Sequence, residues 1–164
     1  MRIPRIFYPF KAEEKNSIIL NITASHHLKV INIKEGQNVE LFNGNGYFFN
    51  AKVTEQNKKN IALKRTSDVN FQKKQIPSIN IAVADIRSFD KVIREVCQSG
   101  IDSITSVKTK KTKFSKLSSE KKITRWQSIA FNSCEQSGLN WVKKFTLVLC
   151  RNGYLHLNQN LKFF

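Results

Sequence analysis

Between Thr105 and Arg125 the chain carries Lys108, Lys110, Lys111, Lys113, Lys116, Lys121, Lys122 and Arg125 against one acid, Glu120. Cations at this density suit a phosphate polymer. Lysine offers a mobile point charge, whereas arginine offers a planar fork that grips phosphate with two hydrogen bonds. A run of lysines therefore positions a nucleic-acid backbone without reading its bases. Phe114 lies inside the run and Trp126 directly after it, and either ring could stack on an unpaired base. The plainer alternative is a solvated loop, the usual fate of a charge run.

Other reactive side chains offer less. His26 and His27 are adjacent, so on a helix they point roughly 100° apart and cannot chelate one metal as an i, i+4 pair does. No carboxylate or cysteine near them completes a ligand set, so no metal site is expected. The three cysteines, Cys97, Cys134 and Cys150, form no C-x-x-C pair and read as reduced, buried thiols. No nucleophile–base pair and no phosphate-binding glycine loop stands out, which leaves the catalytic residues unassigned.

The 164 residues suffice for one domain or two small ones, with 40% hydrophobic residues to fill a core. The formal net charge of +16 attracts phosphate polymers or anionic surfaces. No apolar run approaches the roughly 18 residues of a spanning helix, and the N-terminus lacks a signal peptide's apolar stretch. The stretch Thr105–Lys122 has no clean apolar helical face for lying on a membrane. A cytoplasmic protein without a membrane partner is expected.

The elements that must hold the basic stretch follow from periodicity. Ile123, Trp126, Ile129, Ala130, Ser133 and Cys134 recur at steps of three and four, which predicts an amphipathic helix over Ile123–Gly138, opened by Thr124 and Arg125 and stopped by Gly138. Before it, Ile79–Ala84 reads as a buried strand, Asp90–Ser99 as a helix and Ser103–Val107 as a strand. After it, Phe145–Cys150 reads as a third strand. This alternation predicts a parallel α/β sheet. The first part reads as mostly β. Strands are expected at Ser17–Ile22, Gln37–Asn43, Gly46–Val53 and Asn60–Arg65. The second and third of these flank an Asn-Gly turn, and a short helix with Ser25 as its cap covers Ala24–Val30. Short strands with tight turns suggest a small barrel. The polar stretch Val69–Pro77 marks a boundary, giving domains 1–72 and 73–164.

The helix string RWQxIAxxxxEQSG, placed after a basic loop, resembles the ribosomal RNA small subunit methyltransferase E family. The start MRIPRIF, His26-His27-Leu28 and Leu41-Phe42-Asn43-Gly44-Asn45-Gly46 are similar to that family's PUA-like N-terminal domain. Members typically read HHLxxVLRxxxG there. This chain reads HHLKVINIKEG, one residue shorter, with Asn32 in the place of the arginine. Further on, Asp85, Ser88 and Thr109-Lys110-Lys111-Thr112 replace polar family residues while the apolar spacing is kept.

The resemblance implies an α+β plus α/β protein, a PUA-like β-barrel followed by a SPOUT α/β domain. It implies methylation of N3 of uridine 1498 in 16S rRNA by S-adenosylmethionine. It also implies the small ribosomal subunit as partner and a homodimer. RNA contact would fall to Arg2, Arg5, Lys108, Lys110, Lys111, Lys113 and Arg125. The family holds its cofactor in a C-terminal trefoil knot through a GPEGGF-like loop. After Gly138 this chain has one glycine, Gly153. The SPOUT domain therefore reads as incomplete, with no cofactor-binding residues, and the chain is not expected to hold the methyl donor. Two rivals stand beside methyl transfer: a non-catalytic rRNA-binding protein and a truncated product without function.

Overall fold

A computed structural model describes residues 3–9, 16–84, 86–109, 119–151 and 154–157. The chain divides into two compact units, Met1–Lys74 and Gln75–Phe164.

The first unit is built from β1 (Arg5–Phe7), β2 (Ser17–Ile19), α1 (Ile22–Val30), β3 (Asn38–Phe42), β4 (Tyr47–Gln56), β5 (Ile61–Arg65) and β6 (Asn70–Phe71). The sheet runs β1-β3-β4-β5-β2, with β6 added on β4. All these pairings are antiparallel except β1 on β3. Strands β1 and β2 end the path, so the strands described form an open sheet and not the closed barrel expected. Alternation along β4 sends Phe49, Ala51 and Val53 inward, where they meet Val39, Leu41, Ile61, Leu63 and the buried face of α1.

The ends of α1 differ from the sequence reading. Asn21 is the N-cap, its side-chain oxygen accepting from Ala24 N–H at 2.9 Å. Ser25 lies inside the helix and is fully buried. Its hydroxyl donates to the Leu20 carbonyl at 3.2 Å and accepts from Ile61 N–H at 3.1 Å, tying the helix to β5. At the other end Asn32 takes the left-handed conformation, φ 55°. The Asn32 N–H reaches the Lys29 carbonyl at 2.9 Å, and the Ile33 N–H reaches the Leu28 carbonyl at 3.1 Å. This is a Schellman stop, sealed by contact between buried Leu28 and Ile33.

The second unit contains β7 (Asn80–Ala84), α2 (Phe89–Gln98), β8 (Ser103–Lys108), α3 (Ser119–Ser137), β9 (Lys144–Arg151) and β10 (Tyr154–Leu157). Its sheet order is β10-β9-β8-β7, with β7, β8 and β9 parallel and β10 antiparallel. Stepping in one direction from β7 to β9 places both crossover helices on one face. There Phe89, Ile93, Val96 and Cys97 of α2 meet Ile123, Trp126 and Ala130 of α3 above Ile104 and Phe145. Strand β10 had no expectation in the sequence. Helix α3 begins four residues before the expected start, so Thr124 and Arg125 lie within it. Gly138, φ 84°, ends it as expected, its N–H bonding the Cys134 carbonyl at 3.2 Å.

Candidate nucleic-acid interface

Helix α3 carries the basic stretch from Ser119 onward, and β8 carries its beginning. The apolar stripe of α3 fixes which face looks outward. With Ile123, Trp126 and Ala130 turned to the core, Lys121, Thr124, Arg125 and Ser128 face out and line an open cavity of about 460 Å³. Lys121 and Arg125 stand one turn apart, so their charges add over the same space. Ser128 donates to the Thr124 carbonyl at 3.1 Å, which leaves its oxygen able to accept a further hydrogen bond. Arg125 pairs with Asp90 of α2, which fixes the guanidinium between the two helices. With 61% of the Arg125 side chain exposed, this pair adds little stability, and its role is to orient. Sequence reasoning missed Asp90, because only the crossing of α2 with α3 brings it to Arg125.

The other expected RNA residues are distributed as follows. Lys108 ends β8 and is half-buried. Arg2, Lys110, Lys111, Lys113 and Phe114 lie outside the described residues. Arg5 is built into the first unit. Its side chain is 7% exposed, its Nε donates to Glu40 Oε1 at 2.6 Å, and its guanidinium lies 4.9 Å from the centre of the Phe42 ring.

Trp126 corrects a sequence expectation. It is 3% exposed and sits with its ring centre 4.5 Å from that of Phe89 and 6.4 Å from that of Phe145. It is core and cannot reach a base, because helical periodicity gave it to the apolar stripe.

His26 is exposed and His27 half-buried, and no cluster of three potential metal ligands occurs among the described residues. Cys97 and Cys134 are buried thiols outside any disulfide. Their mutual hydrogen bond and burial push the Cys97 thiol far above its ordinary range, which makes it a neutral packing group. No described helix is long and apolar enough to cross a membrane.

Comparison with known proteins places these two units. A family model described as an RNA methyltransferase domain matches residues 72–163, more than half of the chain. The chain belongs to this RNA methyltransferase family. A second model, an RNA methyltransferase PUA domain, matches residues 13–64. Ribosomal RNA small subunit methyltransferase E of Buchnera aphidicola subsp. Acyrthosiphon pisum is 24% identical over 97% of this chain, and its counterpart in Mesomycoplasma hyopneumoniae is 27% identical over 86%. This chain spans 65% and 61% of those relatives' lengths. Among solved structures, a Legionella pneumophila protein with SAM bound matches with a TM-score of 0.79 at 24% identity, over 92% of this chain and 64% of that one. Ribosomal RNA small subunit methyltransferase E from Neisseria gonorrhoeae, bound to S-adenosyl methionine, matches at 0.76 and 21%, over 90% and 62%. These likenesses establish a mixed α/β fold shared with the family.

S-adenosylmethionine carries a sulfonium cation, and the family uses it. The cavity beside α3 is lined by Lys121 and Arg125, which repel such a charge. Gly100 and Gly138, both with positive φ, serve to end α2 and α3. The lining of the α3 cavity therefore does not suit a sulfonium cofactor.

Proposed function

We propose that this chain serves the methylation of N3 of uridine 1498 in 16S rRNA by holding the RNA, through a PUA-like domain over residues 1–72 and a partial SPOUT domain over 73–164. The observation that carries this reading is the cationic outer face of α3, where Lys121 and Arg125 share one cavity with the hydroxyls of Thr124 and Ser128. Cationic side chains are what a phosphodiester attracts. Lys108 and the lysines 110, 111 and 113 extend the same positive stretch along the sequence.

Methyl transfer belongs to a protein that also carries donor-binding loops. This chain is proposed not to bind S-adenosylmethionine by itself, and titration calorimetry is expected to give no saturable heat. Micromolar binding would place a donor site in this chain.

RNA holding is tested by filter binding of a 16S fragment over a range of salt. If four to six lysines engage phosphate, log affinity falls against log salt with a slope of roughly −3 to −4. Absence of binding at low salt would refute the reading. A non-catalytic rRNA-binding role is the second reading, and the cationic lining of the α3 cavity, which suits phosphate better than a sulfonium, supports it. Activity of the chain on the fragment with added donor would reject that second reading.

A further inference from the structure

Ten large hydrophobic side chains are exposed among the described residues, and two of them are aromatic, Tyr47 and Phe71. These two lie against each other. They are direct cross-strand partners where β6 pairs with β4, and their ring centres are 4.8 Å apart at an interplanar angle of 49°. Tyr47 is 37% exposed and Phe71 51%.

The backbone beneath them is fixed by short-range bonds. Asn43 exchanges two bonds with Tyr47: its N–H donates to the Tyr47 carbonyl at 3.1 Å and its Oδ1 accepts from Tyr47 N–H at 3.2 Å. Gln72 N–H reaches the Gly46 carbonyl at 2.8 Å, which anchors the far end of β6. Gly46 has φ 89°, a conformation that brings the chain into β4 at this point and that a side chain would strain. Two exposed lysines, Lys73 and Lys74, follow Phe71 within three residues. The result is an aromatic pair on a hydrogen-bonded backbone, with two exposed cations following it in sequence.

We propose that Tyr47 and Phe71 form a stacking platform for an unpaired RNA base, with Lys73 and Lys74 on the flanking phosphates. The proposal rests on the RNA-holding reading above and adds a second kind of contact to it. A ring offers its π-face to any base, so the platform is tolerant of sequence, and an ordered pair of rings gives up little freedom on binding. It takes the role that the sequence assigned to Trp126, which the core has claimed. Charge complementarity favours nucleic acid over a protein partner, since the first 72 residues alone carry eleven cations against six acids.

Stacking and charge pairing are separable by salt. Phe71→Ala in the full chain is expected to weaken binding of a single-stranded 16S fragment by about 5- to 150-fold while leaving the log–log salt slope unchanged. Tyr47→Phe keeps the ring and is expected to bind as the parent does, whereas Tyr47→Ala is expected to lose affinity. Phe71→Leu keeps apolar bulk without a π-face and should behave like alanine, with a thermal midpoint near the parent's as the check on folding. An oligonucleotide with abasic sites should bind parent and Phe71→Ala equally. Unchanged affinity in both alanine variants, with parent RNA binding intact, would overturn the platform and leave the α3 surface standing. Loss of RNA binding by the parent itself would overturn both.

Discussion

Arg5 and Arg125 are both arginines paired with a carboxylate, yet burial gives them different work. The Arg5 side chain is 7% exposed and is held by Glu40 and by the face of Phe42, so it joins β1 to β3. Arg125 is 61% exposed and is oriented by Asp90 beside an open cavity. A charge-assisted hydrogen bond with a stacked ring on a nearly buried guanidinium is worth about 2 kcal/mol. Arg5→Ala is therefore expected to lower unfolding stability in urea by about 2 kcal/mol while leaving RNA affinity nearly unchanged. Arg125→Ala is expected to do the reverse. A large loss of RNA affinity in a stable Arg5→Ala protein would return Arg5 to the RNA surface. The buried thiol Cys97 adds a pH dependence of known sign. It stays protonated in the fold, while in the unfolded chain it ionises near pH 9, so its contribution to stability is full below that pH and fades above it.

At the scale of elements, what the sequence made legible was whatever periodicity controls. The stripe of α3, the strand–helix–strand order and the glycine stop at Gly138 are all read from spacing. Element starts were less legible. The residues of α3 before Ile123 are polar, so nothing periodic marks them, although lysine and glutamate propagate a helix readily. Ser25 looks like a cap by residue type, but Asn21 holds that place, because Ser25 is needed on Ile61 N–H and only the tertiary fold reveals that demand. Strand β10 pairs through its backbone at the edge of the sheet, a placement that local pattern does not signal. Asn32 is the most instructive position. Its place opposite a family arginine marks it as a departure from the family pattern, whereas the structure gives it the left-handed stop of α1. Asparagine tolerates that conformation and arginine does not. Asn32→Arg is thus expected to cost about 1 kcal/mol of stability, and Asn32→Gly to cost little, both measured by urea denaturation. A stabilised arginine variant would contradict the stop.

For the whole molecule, charge and division matter most. The first 72 residues have a net charge of +5, from eleven cations and six acids, and the remainder has +11, from seventeen and six. The second part therefore carries most of the electrostatic attraction, and the first adds the aromatic step. The contact division into Met1–Lys74 and Gln75–Phe164 falls close to Lys73–Lys74, both exposed. Limited trypsin digestion is expected to cut there early, since exposed lysines in connecting segments are preferred nick sites. Early cleavage within Leu41–Val53 would mean that the first unit is not stable as described, because Leu41, Phe42, Phe49, Ala51 and Val53 are all buried.

The central claim, that the basic stretch leading into α3 grips RNA phosphate, is tested most directly by the salt dependence of one variant. Lys108, Lys110, Lys111 and Lys113 are replaced together by alanine, and binding of a 16S fragment is measured at several salt concentrations. Removing four phosphate contacts is expected to flatten the log–log slope by about 2 to 3 units, with all single-stranded RNAs weakened about equally. An unchanged slope in the folded variant would contradict the claim and leave the stretch as a solvated charge run.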